Sequence, residues 1–158
     1  MSQTDWKRHS SNLNVDKIQQ AIPEPSEFQI EFVDLIRRYF TNGSEKTALE
    51  AGCEQATITF MLEGFKHRYA LDLNIDIIKK LELLQKKTNQ EKIQVVHGDM
   101  FDMPFENGVF DLIHNAGVLE HFNLKDRAKA LAEYRRVLKD DGLMIIAIPN
   151  HYSFPYRS

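Results

Sequence analysis

The first sustained hydrophobic pattern along the chain begins near Ser26 and has helical spacing. The stretch "SEFQ" is typical of a capping box, in which Ser26 accepts from the backbone and Gln29 reaches back to it. The pattern predicts a helix that ends at the turn signal Asn42-Gly43. Its apolar face is predicted to carry Phe28, Phe32, Leu35, Ile36 and Tyr39. Residues 1–25 are polar, have no sustained period and predict a flexible arm or lid.

From there on, strand and helix patterns alternate. The predicted strands are "KTALEA" (46–51), "RYALDL" (68–73), "KIQVVH" (92–97), "VFDLIHN" (109–115) and "LMIIAIP" (143–149). The predicted helices cover about 55–64, 75–87 and 124–139, and the last is predicted to end at Asp141-Gly142. Their predicted inward faces are Ile77, Ile78, Leu81 and Leu84 in the second helix, and Leu124, Ala128, Leu131 and Leu138 in the third. Alternation of this kind predicts a doubly wound α/β domain with a parallel sheet.

Composition narrows the class of protein. The chain has 158 residues, 42% hydrophobic and 27% charged, which fits one globular domain. A formal net charge of -3 gives no general basic field, so nucleic acid is not the expected partner. No apolar run approaches the ~20 residues of a membrane span, and the N-terminus lacks a signal-peptide core, so a cytoplasmic protein is expected. Cys53 is the only cysteine, which excludes an internal disulfide and a cysteine-based zinc site, and no metal is expected.

Polar residues follow the predicted strands where they end. Sheets of this class bind ligands at the carboxyl ends of their strands. Asp72 ends the second strand, about twenty-two residues after Glu50, where a carboxylate can accept from both hydroxyls of a ribose. Asp99 ends the third strand, where its carboxylate can accept from a purine amine while the amide of Met100 donates to the ring. These groups predict an adenosine-bearing ligand, and the absence of a P-loop pattern argues against ATP or GTP.

The sequence resembles the class I S-adenosylmethionine-dependent methyltransferases over residues 46–150. "ALEAGC" resembles their first motif, "YALDLN" their ribose strand, and "VVHGDMFDMPFENGVFDLIHNAGVLEHF" their adenine loop and fourth strand. "RVLKDDGLMIIAIPN" resembles the branch that includes quinone and small-molecule methylases. The resemblance implies a Rossmann-like sheet of strand order 3-2-1-4-5 in residues 26–158, S-adenosylmethionine as cofactor and a small-molecule acceptor. It also implies cofactor-binding roles: Glu50 and Gly52 at the methionine part, Asp72 with Leu73 at the ribose, Asp99 and Met100 at the adenine, and Asn115 beside the substrate.

Several of these residues have a second interpretation. Asp72 and Asp99 can instead be helix caps or solvated strand ends, and Cys53 is typical of a small buried residue beside a turn. His114 and His121 are candidate general bases, because a methyl transfer to oxygen or activated carbon needs a proton removed. A structural role is the alternative for each histidine.

Two positions depart from the family pattern. The family usually has Gly-x-Gly-x-Gly in the first loop, whereas this chain has Gly52, Glu54 and Ala56. Glu54 places a carboxylate where the carboxylate of the cofactor should pass, at a cost of about 1 to 3 kcal/mol at ~6 Å. The sign of that effect reverses where Glu54 faces the ammonium or the sulfonium. The departures keep open a non-catalytic relative that serves as a binding or interaction module.

The predicted fifth strand, at 143–148, has the position of an apolar edge strand. The family sheet usually has two further strands, which this sequence lacks. Because an exposed edge has unpaired backbone groups, we expect it to be covered. Further residues of a longer protein, a second copy of the chain and the N-terminal arm are the candidates.

Overall fold

The computed structural model describes Asp5 and residues 24–149. The helices are α1 (Glu27–Tyr39), α2 (Thr57–Met61), α3 (Ile75–Lys87) and α4 (Leu124–Val137), with a 3-10 turn at Leu119–His121 before α4. The strands are β1 (Thr47–Ala51), β2 (His67–Asp72), β3 (Ile93–His97), β4 (Phe110–Ala116) and β5 (Leu138–Ala147). The arm predicted over residues 1–25 lies outside the described residues, apart from Asp5, Glu24 and Pro25.

The strands form one parallel sheet in the order β3-β2-β1-β4-β5, which confirms the predicted fold class. Because all strands are parallel, their carboxyl ends lie along one edge. The strand order reverses between β1 and β4, where a doubly wound sheet opens its ligand-binding crevice. A ligand-binding site is therefore expected at the loops after β1, β2 and β4.

Helix α1 begins at the predicted capping box. The Ser26 hydroxyl accepts from the backbone N–H of Gln29 at 3.3 Å, and the Gln29 side-chain oxygen accepts from the backbone N–H of Ser26 at 2.9 Å. The predicted buried face is wrong in part, because Phe28, Leu35 and Tyr39 are exposed. The buried residues are Phe32, Val33 and Ile36, which pack with α2 and with β1 and β4.

Helix α3 agrees with its prediction in both bounds and packing. Asn74 caps it by accepting from the backbone N–H groups of Asp76 and Ile77, at 2.9 and 3.3 Å. The predicted inward residues are buried: Ile77, Ile78, Leu81 and Leu84. Strong capping and a clean apolar period both act here, so local sequence determines the element.

Helix α2 is shorter than predicted, at five residues. The segment before it cannot be helical because Glu54 and Ala56 have φ values of 44° and 52°, in the left-handed region. The helix begins only after Ala56 and ends before Leu62. Residues 52–56 form instead a turn at the sheet edge, in which the Ala56 N–H donates to the Cys53 carbonyl.

The boundary between the last helix and the last strand was predicted wrongly. Helix α4 ends at Val137, and residues 138–141 belong to β5 rather than to a helix end and turn. The reason is packing: Leu138 is buried and pairs with Phe110 of β4. Gly142 permits this, because a Cβ there would lie 2.7 Å from the Leu138 side chain.

The predicted inward face of α4 is wrong for three of its four residues, and the fourth, Leu138, is buried but lies in β5. Leu124 is 81% exposed and Leu131 is 38% exposed, and Ala128 is exposed too. The buried residues are Asp126, Ala130, Tyr134 and Val137, which lie on a neighbouring face. Tyr134, and not the leucines, sets which face of α4 packs on the sheet, because the Tyr134 hydroxyl has polar partners inside the core.

Asp111 links three strands at the amino end of the sheet. Its carboxylate accepts from the Lys46 ammonium at 3.1 Å, the Thr47 backbone N–H at 2.9 Å and the Lys139 ammonium at 2.8 Å. Burial opposes ionisation of this group, but the three donors hold the pKa of Asp111 below its ordinary value. The carboxylate joins β1, β4 and β5 on the side opposite the ligand-binding crevice.

In the part of the chain that the structure describes, none of the helices is both long enough and apolar enough to cross a membrane.

Candidate cofactor and acceptor site

A cavity of about 540 Å³ opens at the carboxyl ends of β1, β2 and β4. This volume lies within the range of ~300–1,000 Å³ that small-molecule sites have. The start of α1, the loop after β1 and the loop after β4 all contribute to its wall. Its lining comprises Glu24, Ser26, Phe28, Gln29, Glu50, Gly52, Cys53, Glu54, Gln55, Ala56, Thr57, Ile58, Asp72, Ala116, Gly117, Val118 and His121.

The loop after β1 keeps a glycine-like backbone although it has only one glycine. Gly52 has φ +79°, and a Cβ there would lie 3.1 Å from Val118. The backbone N–H groups of Gly52 and Cys53 both donate to the Leu71 carbonyl, at 2.9 and 3.1 Å. Glu54 and Ala56 adopt positive φ values as well. Two non-glycine residues of the loop therefore adopt a conformation that glycine adopts more readily.

Asp72 connects this loop to the end of β2. One carboxylate oxygen accepts from the backbone N–H of Glu54 at 3.0 Å, and the other accepts from that of Asn74 at 2.9 Å. Burial raises the pKa of Asp72, and these backbone donors oppose that rise. A carboxylate has about four acceptor positions, so Asp72 retains capacity for ligand hydroxyls.

Glu50 lies at the bottom of the cavity and is 6% exposed. Its carboxylate accepts from both the backbone N–H and the hydroxyl of Thr59 in α2. Burial raises the pKa of Glu50 to about 7, and the two bonds from Thr59 act in the opposite direction. The group is therefore poised to exchange a proton near neutral pH.

Glu54 contributes an exposed carboxylate to the wall of the cavity. The cavity lining carries four acidic side chains, those of Glu24, Glu50, Glu54 and Asp72, and among the described lining residues no lysine or arginine. His121 is the one basic side chain in that set. The described wall is therefore acidic.

A smaller cleft of about 20 Å³ adjoins the cavity. Gly52 and Asp72 line both spaces, and Leu73, Gly98, Asp99 and Met100 line the smaller one with Leu71. Asp99 accepts from the backbone N–H of Phe101 at 3.0 Å. The structure therefore brings Asp72 and Asp99 to one cleft, but that cleft has room for about one water. An adenine could enter only after side chains such as Leu73 and Met100 move.

Asn115 lies away from the cavity, on the other face of the sheet. Its amide donates to the Ala51 carbonyl and to the Tyr134 hydroxyl, and that hydroxyl donates to the Met100 sulfur at 3.4 Å. The Asn115 side-chain oxygen has no hydrogen-bond partner among the described residues. This chain of contacts joins the end of β1 to Met100 at the smaller cleft, so Asn115 has a structural position behind the cleft.

The two candidate bases have different positions. His114 is 1% exposed, packs against the ring of Phe32 and does not line the cavity. Burial lowers its pKa to about 3, because the charged imidazolium is disfavoured there. His121 lies on the 3-10 turn after β4, is exposed and lines the cavity. Only His121 of the pair is placed at the cavity.

Two further residues with reactive side chain types lie near the site, Cys53 in the cavity lining and His97 at the end of β3. Cys53 is buried, and burial raises the pKa of its thiol well above the ordinary value. The His97 ring contacts the Leu73 carbonyl at 2.9 Å. Among the described residues no group of three or more His, Cys, Asp or Glu side chains is arranged to hold a metal ion.

Sequence reasoning missed two residues that position the site. Thr59 holds Glu50, and Tyr134 holds both Asn115 and Met100. The sequence shows that both residues lie at helical spacing from apolar neighbours. It does not show which strand their side chains face, so their hydrogen-bond partners could not be predicted. Phe28 was missed as a lining residue, because the pattern placed it in the core.

The chain matches known proteins over its central part. The family model described as "Methyltransferase domain" matches residues 49–146, more than half of the chain. Among curated proteins, an uncharacterized protein of Methanocaldococcus jannaschii is 29% identical over 124 residues, covering 78% of this chain and 50% of that protein. A probable S-adenosylmethionine-dependent methyltransferase of Mycolicibacterium smegmatis is 24% identical over 69% of this chain and 40% of its own length.

A demethylmenaquinone methyltransferase of Staphylococcus epidermidis is 39% identical, over only 39% of this chain and 24% of that protein. Among solved structures, a SAM-dependent methyltransferase from Aquifex aeolicus superposes with a TM-score of 0.68 at 19% identity, over 92% of this chain and 80% of the other. The chain spans about half or less of the length of the curated relatives that match it over most of its residues.

Proposed function

The chain belongs to the methyltransferase domain family, the class I S-adenosylmethionine-dependent methyltransferases, and from that premise we propose that it transfers a methyl group from S-adenosylmethionine to a small-molecule acceptor. The observation that carries the proposal is the cavity at the strand ends, where Glu50, Gly52 and Asp72 meet. The matched residues 49–146 include this whole edge of the sheet.

The residues of the site fit S-adenosylmethionine in chemistry. Asp72 would accept from the ribose hydroxyls, and Asp99 with the backbone of Met100 would hold the adenine beside Leu73. Gly52 and Glu50 would border the methionine part, where the 540 Å³ cavity offers space. The narrow cleft at Asp99 requires movement of the side chains around it before the base can bind.

Bound S-adenosylmethionine supplies a methyl group that its sulfonium already activates, so the protein has mainly to align an acceptor and exclude water. The start of α1 serves the second task, because Phe28 and Gln29 cover one side of the cavity. Phe28 is supported by stacking on Phe32, with ring centroids 5.8 Å apart. We assign the acceptor to the space between α1 and the loop after β4.

His121 is the candidate for proton removal from the acceptor, since it lines that space. His114 is not given this role, because its buried ring would have to accept a proton at an unfavourable cost and has no path to the acceptor. The fragmentary similarity to a demethylmenaquinone methyltransferase supports a ring-bearing acceptor of the quinol type within the small-molecule class.

A non-catalytic binding module is the second candidate. Two features favour it, since both oppose binding of the cofactor: the exposed Glu54 carboxylate, where it faces the carboxylate of the cofactor, and the narrow cleft at Asp99. It rests on weakened binding alone and does not explain the cavity as well as methyl transfer does.

The proposed activity can be tested with S-adenosylmethionine that is isotopically labelled in its methyl group. Incubated with the small-molecule fraction of a cell extract, the protein should transfer label to at least one component. Asp72→Asn should abolish the transfer, whereas Asp76→Asn, a change of the same type at a side chain 63% exposed on α3, should leave it unchanged. Binding of the cofactor without any transfer would support the non-catalytic candidate instead.

A further inference from the structure

Glu54 has a position from which its carboxylate affects the binding of charged ligands. Its backbone is fixed by the bond from its N–H to Asp72 and by a φ of 44°, so the residue cannot leave the cavity wall without breaking that bond. The side chain is exposed and lines the cavity. A carboxylate is therefore held at the wall by the backbone rather than by a partner cation.

Among the residues that the structure describes, no cation neutralises the Glu54 carboxylate. Among the described residues that line the cavity no lysine or arginine is present, and neither a hydrogen bond nor an ion pair is found for the Glu54 carboxylate in the described structure. Burial raises the pKa of Glu50 to about 7, so at neutral pH that neighbour carries only part of a charge. Glu54 and Asp72 then supply most of the fixed negative charge in the middle of the wall.

The two states of the cofactor differ in net charge. S-adenosylmethionine carries a sulfonium, an ammonium and a carboxylate, whereas S-adenosylhomocysteine has lost the sulfonium charge with the methyl group. Repulsion between Glu54 and the carboxylate of the ligand is common to both, so it cancels in the ratio of their affinities. Attraction to the sulfonium does not cancel.

We propose that Glu54 is a specificity-determining residue that makes the cavity prefer the cationic methyl donor over its neutral demethylated product. One unit charge at about 6 Å, with an effective dielectric constant of about 20 to 80, corresponds to a preference of roughly threefold to hundredfold. The consequence is that the demethylated product is held less tightly than the methyl donor and leaves more readily. The inference rests on the proposed function, because it assumes that S-adenosylmethionine occupies the cavity.

The test compares two stable probes by calorimetric titration. Sinefungin carries an amine in place of the methylated sulfur and is cationic there, whereas S-adenosylhomocysteine is neutral. The wild-type protein should bind sinefungin more tightly. The quantity to compare is the dissociation constant of S-adenosylhomocysteine divided by that of sinefungin. In Glu54→Gln this ratio should fall at least threefold, because loss of the carboxylate weakens the binding of sinefungin relative to that of S-adenosylhomocysteine. The same ratio in the wild-type protein should fall as salt rises, because screening weakens exposed charge interactions.

Glu82→Gln serves as the matched control, since Glu82 is exposed on α3, away from the cavity lining, and its ratio should equal that of the wild type. A ratio that is unchanged in Glu54→Gln, with both probes bound, would overturn this inference and leave the proposed function standing. Failure of both probes to bind the wild-type protein would overturn the proposed function, and the inference with it.

Discussion

Single residues decide how the loop after β1 is built. Glu54 and Ala56 adopt left-handed backbone conformations at positions where the family pattern has glycine. The sequence suggested only a loss of glycine, with effects on packing and charge. The structure adds a backbone cost, about 1–2 kcal/mol for a non-glycine residue in this region. The fold keeps the loop shape and tolerates the strain.

We predict that Glu54→Gly stabilises the protein by about 0.5–1 kcal/mol. Relief of about 1–2 kcal/mol of backbone strain exceeds the 0.4–1 kcal/mol that glycine costs by loosening the unfolded chain. Glu54→Ala keeps the strain and should show no comparable gain. Urea denaturation of the two variants measures the difference, and equal stability would show that the loop is not strained. Ala56→Gly is a poorer probe, because Ala56 is buried and its methyl group packs in the core.

Glu50 and His114 are register partners on β1 and β4, and both are buried. Burial shifts their pKa values in opposite directions, to about 7 and about 3. Between about pH 4.5 and 7 the folded state holds a proton on Glu50 that the unfolded state releases, so stability falls as pH rises. Between about pH 3 and 6.5 the unfolded state protonates His114 and the folded state does not, so stability rises with pH.

We predict that Glu50→Gln removes the part of the free energy of unfolding that falls as pH rises from about 4.5 to 7. Above pH 7 the variant should be more stable than the wild type by up to about 3 kcal/mol, because a neutral amide avoids the cost of a buried charge and still accepts from Thr59. The gain should vanish below about pH 4.5. Urea midpoints at several pH values measure it, and a gain that is independent of pH would contradict the shift assigned to Glu50.

His114→Leu should have the opposite pH profile. The variant lacks the part of the free energy of unfolding that rises with pH. Relative to the wild type it should therefore gain stability as pH falls from about 6.5 toward 3. Removal of a buried imidazole whose nitrogens have no partner among the described residues adds to this gain. The same series of urea midpoints serves as the measurement. A variant that loses stability in acid faster than the wild type would show that His114 is protonated in the folded state.

At the scale of elements, local signals predicted some segments and failed for others. Helix α3 followed from its cap and its apolar period, and α1 from its capping box. The end of α4 could not be predicted, because Leu138 fits a helix face as well as a strand until β4 is in place beside it. The same holds for the orientation of α4, which depends on the partners that Tyr134 meets in the core.

The carboxylate of Asp111 is expected to hold the amino ends of three strands. Asp111→Ala should destabilise the protein by about 2 kcal/mol, because it removes a charged acceptor from the half-buried Thr47 N–H and from two lysines. Asp140→Ala is the control: its carboxylate pairs with Arg135 but is 99% exposed, so its loss should cost less than about 0.5 kcal/mol. Thermal and urea unfolding compare the two. Equal losses would mean that the buried carboxylate contributes no more than a surface pair.

For the whole molecule, the sequence predicted the class of fold and the edge of the sheet at which the cavity opens. Alternation of strands and helices was sufficient for the parallel sheet, and the acidic residues at strand ends for the position of the crevice. The sequence could not predict the volume of the cavity or of the smaller cleft. Asp99 was expected at an adenine pocket, and the structure has a cleft of about 20 Å³ there, since its size depends on side-chain packing from three elements.

The outer edge of β5 pairs with no strand among the described residues. The structure bears out the edge position expected for residues 143–148, apart from the earlier start of the strand at Leu138. A covering segment of a longer protein and a second copy of the chain both stay predictions.

The central claim is that acidic residues at the ends of β2 and β3 hold one adenosine-bearing cofactor. Calorimetric titration with S-adenosylhomocysteine tests it most directly, in the wild type, in Asp72→Asn and in Asp76→Asn. We predict one site per chain, binding at least about tenfold weaker in Asp72→Asn, and no change in Asp76→Asn. Absence of binding to the wild type at millimolar ligand, or equal binding by all three proteins, would contradict it.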